Sequence, residues 1–421
     1  MKTRIDLPDM PLNPSLPEKI LFLCPIGQLG GAERCLIDTL WSLNHSHPQI
    51  HLVLISGSSG PVIDQAISSG ASARSLNLPG RLESFGDSST GTSAQLRIKT
   101  LARLLCLVPA TFLYFIRLRR QILLEKPSLV HVVGLKMQIL SLLAVPRKIP
   151  IVWNIQDYIG HRRISRLILL IALFWFGRNR RIAAACCSDD VRKDLTLVLK
   201  NRYLCSIATI HNTVDLQTFN PNGPIHDLNN SNPKSIRIGL IATYAKWKGQ
   251  DVFIQAISLL RQDITEFQAY LIGGPIYDTS GSQWSASELQ QLADHYGLQN
   301  RLQIIPFQAN SADVMRSLDI VVHASTKPEP FGRVIAEAQA CARCVVAVNS
   351  GGSAEAFDDG LTGLGVNRND AQDLSEKLTQ LLLNKILMKT LASRGPGFVS
   401  TRFDRRDLAA KWLNVYQAIL P

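Results

Sequence analysis

Short, nearly unbroken apolar runs alternate with longer mixed stretches along almost the whole chain. Lys19-Ile-Leu-Phe-Leu-Cys-Pro25 reads as a first buried strand, and Gly27-Gln-Leu-Gly-Gly31 separates it from a helix beginning near Ala32. Similar runs at His51–Ser56, Leu129–Val133, Ile149–Asn154, Ile182–Cys186 and Ile207–Ile210 predict further strands, with helical stretches between most of them. A second series starts at Ser235–Ala242 and continues at Ala269–Ile272, Leu302–Ile305, Asp319–His323 and Cys344–Val348. Strands alternating with helices predict parallel βαβ units and doubly wound sheets. Ligands of such sheets bind in the crevice beyond the carboxyl ends of the strands.

The breaks in this pattern predict the domain organisation. Residues 1–18 read as a polar tail, 19–215 as an N-terminal α/β domain, 216–234 as a linker and 235–400 as a second α/β domain. The Asn-, Pro- and Gly-rich composition of 219–234 marks the linker. A closing helix, Arg405–Ile419 within 401–421, is expected on either domain, including a return to the first. Residues 78–95, rich in Gly and Ser, read as a loop.

Composition places the chain among folded globular proteins, with 46% hydrophobic and 19% charged residues. Charge changes the picture more. Residues 1–210 carry 26 Lys+Arg against 13 Asp+Glu, net +13, and the remainder carries 19 against 20, net −1. An anionic partner is therefore expected of the first half alone. In that half, Leu104–Ile116 is flanked by Arg103 and by Arg117, Arg119 and Arg120. Leu167–Phe176 is flanked by Arg162, Arg163 and Arg166 and by Arg178, Arg180 and Arg181. Both runs fall short of the ~20 residues that span a bilayer. Helices lying on an anionic membrane surface fit this pattern; two core helices with solvated ends are the alternative. No nucleic-acid module is present, and apolar runs between arginines do not suit a phosphate-tracking groove.

The eight cysteines (24, 35, 106, 186, 187, 205, 341 and 344) are scattered, several of them inside apolar patterns, and read as reduced core thiols of a cytosolic protein. Met1–Asp9 carries no apolar stretch of signal-peptide length. Cys341-x-x-Cys344 lacks a partner motif, and no metal site is expected.

The densest chemistry lies in Lys327-Pro-Glu-Pro-Phe-Gly-Arg-Val-Ile-Ala-Glu337. Pro330 keeps Glu329 out of helical geometry and suits a first helical position. A helix is expected from about Phe331 to Ala342, with Glu337 roughly 9 Å along it. The amides of Phe331, Gly332 and Arg333 would then face a ligand between the two acids. Carboxylates accepting from sugar hydroxyls, with a charged group between them, suit a nucleotide sugar. Lys248, in Ala245-Lys-Trp-Lys-Gly-Gln-Asp251 beyond a strand, would neutralise its diphosphate. Gly27-x-x-Gly30-Gly31 reads either as a turn needing glycine or as a phosphate approach; it does not supply the G-x-G-x-x-G of dinucleotide enzymes.

With Gly273-Gly274-Pro275, Gly351-Gly352-Ser-Ala-Glu355 and Asp359-Gly360-Leu-Thr-Gly363, this succession resembles the family 4 retaining glycosyltransferases of the GT-B fold. The likeness runs from Gly30-Gly31-Ala-Glu33 to the last helix and is strongest over 239–363. It implies an α/β architecture of two Rossmann-like domains whose parallel sheets face an interdomain cleft. It also implies that Glu337 holds the donor ribose, that Glu329 with the amides of Phe331 and Gly332 holds the donor sugar, and that Lys248 binds the diphosphate. Gly30 and Gly31 would line the phosphate and acceptor side. No obligatory cofactor or metal is implied; the leaving phosphate takes the acceptor proton, and stabilising the diphosphate is the main catalytic term.

Three departures stand out. Where relatives carry Gly-Arg, this chain has Ala242-Thr243, leaving Lys246 or Arg333 as substitute cations. Val133 and Gln156-Asp157 replace a His and a His-Asp, with Asp157 either contacting the acceptor or capping a helix. Asn212-Thr-Val-Asp215 replaces the usual interdomain Asn-Gly-Val-Asp.

The expectation is a cytoplasmic enzyme, peripheral on the inner face of the membrane. It would transfer a sugar from a UDP-, GDP- or ADP-sugar to a saccharide or lipid-linked saccharide, in polysaccharide or glycolipid synthesis. A nucleotide-sugar epimerase and a non-catalytic nucleotide- or glycan-binding scaffold are the rivals.

Overall fold

The computed structural model describes residues 16–79, 94–200, 202–228, 234–275 and 282–420, with the backbone alone for 94–108. The loop expected at 78–95 and the tail at 1–18 therefore lie almost wholly outside the described residues.

The chain forms two units. The first comprises 1–187, 191–210 and 406–421, and the second 188–190 and 211–405. The linker composition at 219–228 thus belongs to the second unit, and the C-terminal segment to the first.

The first unit holds seven strands: β1 (Lys19–Cys24), β2 (His51–Ser56), β3 (Ser72–Ser75), β4 (Leu129–Val133), β5 (Ile151–Ile155), β6 (Ile182–Cys186) and β7 (Ser206–Thr209). They form one sheet in the order β3-β2-β1-β4-β5-β6-β7, with every pairing parallel. Helices Gly31–Ser46, Pro61–Ser68, Ala94–Glu125, Leu135–Ala144 and Arg163–Ala172 fill the crossovers; the last continues into a π-helical turn, Leu173–Gly177. Parallel strands covered on both faces must be apolar throughout, which is why all five residues of β4, β5 and β6 are buried.

The second unit has six strands: β8 (Ile236–Ile241), β9 (Phe267–Gly273), β10 (Leu302–Pro306), β11 (Ile320–His323), β12 (Cys344–Val348) and β13 (Gly363–Val366). Their order is β10-β9-β8-β11-β12-β13, again all parallel. The central strands match the sequence expectation. Two strands went unread there, β3 (Ser-Ala-Arg-Ser) and β13 (Gly-Leu-Gly-Val). Each sits at a sheet edge; β3 is partly exposed throughout, which relaxes the demand for an apolar run, while β13 is mostly buried but only four residues long and half glycine, a weak strand signal.

The strand order reverses between β1 and β4 in one sheet and between β8 and β11 in the other. Such switch points open a crevice at the strand ends. The segments after these four strands are therefore the positions to inspect, and Lys248 follows β8 while Glu329 follows β11.

The expected closing helix is divided, with a 3-10 turn at Arg405–Asp407 and an α-helix at Leu408–Gln417. This helix buries Leu408, Trp412 and Tyr416 in the core of the first unit. There the buried His131 Nδ1 lies 2.8 Å from the Tyr416 hydroxyl. Burial drives the His131 ring down to about 3, so it is neutral in the fold. No helix among the described residues is long and apolar enough to cross a membrane.

Candidate active site

In the second unit the chain leaves β8 through Ala242-Thr243-Tyr244-Ala245 into a 3-10 turn, Lys246–Lys248, that ends at Gly249. Gly249 has φ +76°, and a Cβ there would lie 1.9 Å from the Ala324 carbonyl oxygen. Only glycine lets this turn lie against the end of β11. The contact is fastened by the Thr326 amide, which donates to the Trp247 carbonyl at 2.8 Å. Lys248 is thereby delivered to the loop that carries Glu329.

The Lys248 ammonium donates to both Glu329 carboxylate oxygens at 2.8 Å. It also lies 4.1 Å from the Trp247 ring centroid, a cation–π distance. Glu329 Oε2 accepts from Ser325 Oγ at 2.8 Å and sits 3.5 Å from His323 Nε2. Glu329, Ser325 and His323 are all buried. Burial alone would raise the Glu329 carboxyl; the Lys248 ammonium and the His323 ring outweigh it and hold the group well below the usual carboxylate range. The carboxylate is therefore a permanent acceptor at neutral pH, suited to hydroxyl donors and unsuited to giving up a proton.

The Glu329 backbone is pinned from the other side. Its carbonyl accepts from the Gly352 amide at 3.0 Å, and a Cβ on Gly352 would stand 1.8 Å from the Pro330 carbonyl oxygen. Gly352 is thus required by close backbone contact. Nearby, the Glu355 carboxylate accepts from the amides of Asp189 and Asp190 at 2.8 and 2.9 Å and meets His211 Nε2 at 2.8 Å.

The helix expected from Phe331 begins instead at Arg333 and ends at Ala340. Gly332 takes the left-handed conformation (φ 80°, ψ 59°) before it, so Pro330 and Phe331 precede the helix rather than open it. Glu337 lies four residues after the start, about 6 Å along the axis rather than 9 Å. Phe331 is buried against Phe403 and His211. Arg333 Nε donates to Glu337 Oε1 at 3.2 Å, so one cation that could substitute at Thr243 is already engaged by the carboxylate expected to hold ribose. The other, Lys246, is exposed and lies 4.7 Å from the Trp284 ring centroid.

In the first unit, Gly30 has extended geometry and its amide donates to Glu33 Oε2 at 3.2 Å. Gly31 opens the helix, and a Cβ on it would meet nothing within 4 Å. The turn reading of these two glycines is thus corrected: it is Gly27 that the backbone requires, its would-be Cβ lying 2.4 Å from the Ser59 carbonyl oxygen. Gly31 is exposed, so the space over it opens to solvent. Asp157 follows β5 and is ion-paired with Arg162, both partly exposed. The next helix has Arg162, not Asp157, at its N-cap, so the capping reading is also corrected.

The structure therefore brings Lys248 and Glu329 together, and places Phe331, Gly332, Arg333 and Glu337 on the continuation of the same segment. His323 and Ser325 were not singled out from the sequence as site residues. Their signal was available: two polar residues two apart at the end of a buried strand share one face. Among the described residues, no group of three or more His, Cys, Asp or Glu could hold a metal ion.

Residues 224–397 match the family model described as glycosyl transferases group 1. A D-inositol 3-phosphate glycosyltransferase from Mycobacterium sp. (strain KMS) is 31% identical over 214 residues, 50% of this chain and 44% of that protein. An uncharacterized glycosyltransferase, MJ1178, of Methanocaldococcus jannaschii is 30% identical over 240 residues, 56% of this chain and 59% of that protein. The chain thus spans about half the length of these curated relatives. Among solved structures, Anabaena Alr3699/HepE in complex with UDP and glucose superposes with a TM-score of 0.73 at 21% identity, covering 95% of this chain and 99% of that one. The lipopolysaccharide outer core galactosyltransferase WaaB, in its apo form, gives 0.64 at 13% identity, covering 94% and 99%. Two parallel, Rossmann-like sheets with these neighbours make the fold GT-B.

Proposed function

We propose that this chain, whose residues 224–397 carry a group 1 glycosyl transferase domain, moves a sugar from a nucleotide-sugar donor to an acceptor hydroxyl with retention at the anomeric carbon. The observation that carries the reading is the pair of half-buried Lys248 with buried Glu329, built from the segments after β8 and β11 on either side of a switch point. In the free protein each charge neutralises the other. A donor would divide them, with its sugar hydroxyls on the carboxylate and its diphosphate on the ammonium.

In the step proposed, the bond from the anomeric carbon to the diphosphate oxygen breaks and one to the acceptor oxygen forms on the same face. The acceptor proton passes to the departing phosphate, and Lys248 stabilises the charge that develops there. Glu337 is assigned the donor ribose, Phe331 and Gly332 the donor sugar, Gly30 and Gly31 the phosphate and acceptor side, and Asp157 the acceptor. The acceptor proposed is a saccharide or lipid-linked saccharide, met at the inner face of the cytoplasmic membrane. UDP complexes of the Anabaena neighbour support a UDP-sugar as the first donor to try.

The test is a thermal-shift series with UDP, GDP and ADP on the native protein and on Glu337→Ala, followed by transfer assays with the donor so identified. One nucleotide is expected to raise the melting temperature, and Glu337→Ala is expected to weaken that response at least tenfold in apparent affinity. NMR of the first-formed product should show the donor's anomeric configuration. Turnover of donor to its epimer without acceptor would favour the epimerase. Nucleotide binding without transfer to any acceptor would favour a scaffold, the reading that Thr243 in place of a cation makes specific.

A further inference from the structure

We propose that the helical layer formed by Ala94–Glu125, Leu135–Ala144 and Arg163–Gly177 is a docking surface for an anionic lipid bilayer. The layer is continuous, because the first and third elements both pack against the middle one. Its inward side is ordinary core: Tyr114, Leu118 and Ile122 are buried at every fourth position of the first helix, and Leu169 and Leu173 in the third element. Its outward side is not ordinary surface. Phe112, Leu113, Ile116, Leu123 and Leu124 are exposed on the first helix, and Leu167, Ile171, Phe174, Trp175 and Phe176 on the third element. Trp175 is 66% and Leu124 65% exposed. Ten large apolar side chains on one layer exceed the scattered singles of a normal surface.

Charge complementarity selects the occupant. On the third element Arg163, Leu167 and Ile171 recur every fourth residue on the exposed side, and Arg178 follows the aromatic turn. On the first helix Arg117 and Arg120 lie among the exposed apolar residues. A third group gathers at the end of the middle helix. Arg119 donates to the Ala144 carbonyl at 3.3 Å, and Arg180 to the Val145 carbonyl at 2.8 Å, beside the exposed Arg147 and Lys148. Burial first, then repulsion by Arg147 and Arg119, pulls Arg180 down to about 10, a crowding that an anion would relieve. Exposed apolar and aromatic residues interspersed with and flanked by arginines match the boundary between acyl chains and anionic headgroups. An apolar protein partner would not call for the arginines, and a nucleic acid would not call for the exposed leucines and phenylalanines.

The experiment uses the full chain and sedimenting vesicles of phosphatidylcholine alone or with about a third phosphatidylglycerol. Binding is expected at least tenfold stronger on the mixed vesicles, weakening as salt is raised. Phe174→Ser/Trp175→Ser and, separately, Arg147→Glu/Arg178→Glu should each lose at least tenfold while keeping the native melting temperature and nucleotide response. Equal binding to both vesicles, no binding to either, or variants that pellet like the native chain would overturn the proposal. So would sedimentation velocity showing that the surface is covered by a second copy, with dimers abolished by the aromatic variant and blind to vesicles. No sugar donor is present, so this result and the transferase reading stand or fall separately.

Discussion

At the scale of single residues, the ion pair of half-buried Lys248 with buried Glu329 links stability to the proposed chemistry. Removing one partner leaves the charge of the other uncompensated, which costs about 3–5 kcal/mol at fully buried pairs. Lys248→Ala is expected to lower the melting temperature by several degrees and turnover by orders of magnitude. Adding Glu329→Gln should restore much of the stability and none of the turnover. A double-mutant cycle by calorimetry reads the coupling, and strictly additive losses would show that the pair is not coupled. The pH dependence has a definite sign. The folded-state Glu329 value is depressed, so its contribution is fully present above the unfolded value of about 4.3 and is lost as pH falls from there through the folded value. Denaturant melts from pH 6 to 2 should show a steeper acid loss in the native chain than in Glu329→Gln. Lys248 and Glu329 could both be singled out from the sequence, but as separate ligand contacts. That they neutralise each other in the free protein, with Ser325 and His323 beside them, follows from which strand ends are neighbours.

At the scale of elements, glycines separate what the backbone demands from what it merely permits. Gly249 combines a left-handed φ with a would-be Cβ 1.9 Å from the Ala324 carbonyl oxygen. Gly249→Ala should therefore move the turn that carries Lys248, with losses in both stability and turnover. Gly31→Ala meets open space at a helix start. It is expected to leave the melting temperature unchanged or raise it slightly, since alanine favours helix by about 0.5–1 kcal/mol. If donor or acceptor approaches there, KM rises while stability holds; equal kinetics would remove Gly31 from the site. Glycine spacing was visible along the chain, but which glycine answers to a neighbouring carbonyl was not. The same limit moved the helix start from Phe331 to Arg333. Pro330 and the apolar periodicity marked the neighbourhood, and only the left-handed Gly332 decided the residue.

At the scale of the whole molecule, the last helix belongs to the unit built from the first residues. Trp412, Leu413 and Tyr416 pack into a core shared with β1, β2, β4, β5, β6 and helices Gly31–Ser46 and Pro61–Ser68. Trp412→Ala is expected to cost about 3–5 kcal/mol and to appear as early unfolding of the first unit in hydrogen exchange, with the sheet of β8–β13 protected as before. Two series of apolar runs, a basic first half and the Glu329-to-Glu337 segment were all legible in the sequence, because strand burial, net charge and local spacing are properties of contiguous residues. Edge strands β3 and β13, the partner of Lys248 and the residence of the C-terminal helix were decided by the tertiary structure alone. Each depends on contacts between residues far apart in the chain, and a linear pattern of apolar and polar positions records that a face is buried without recording what buries it.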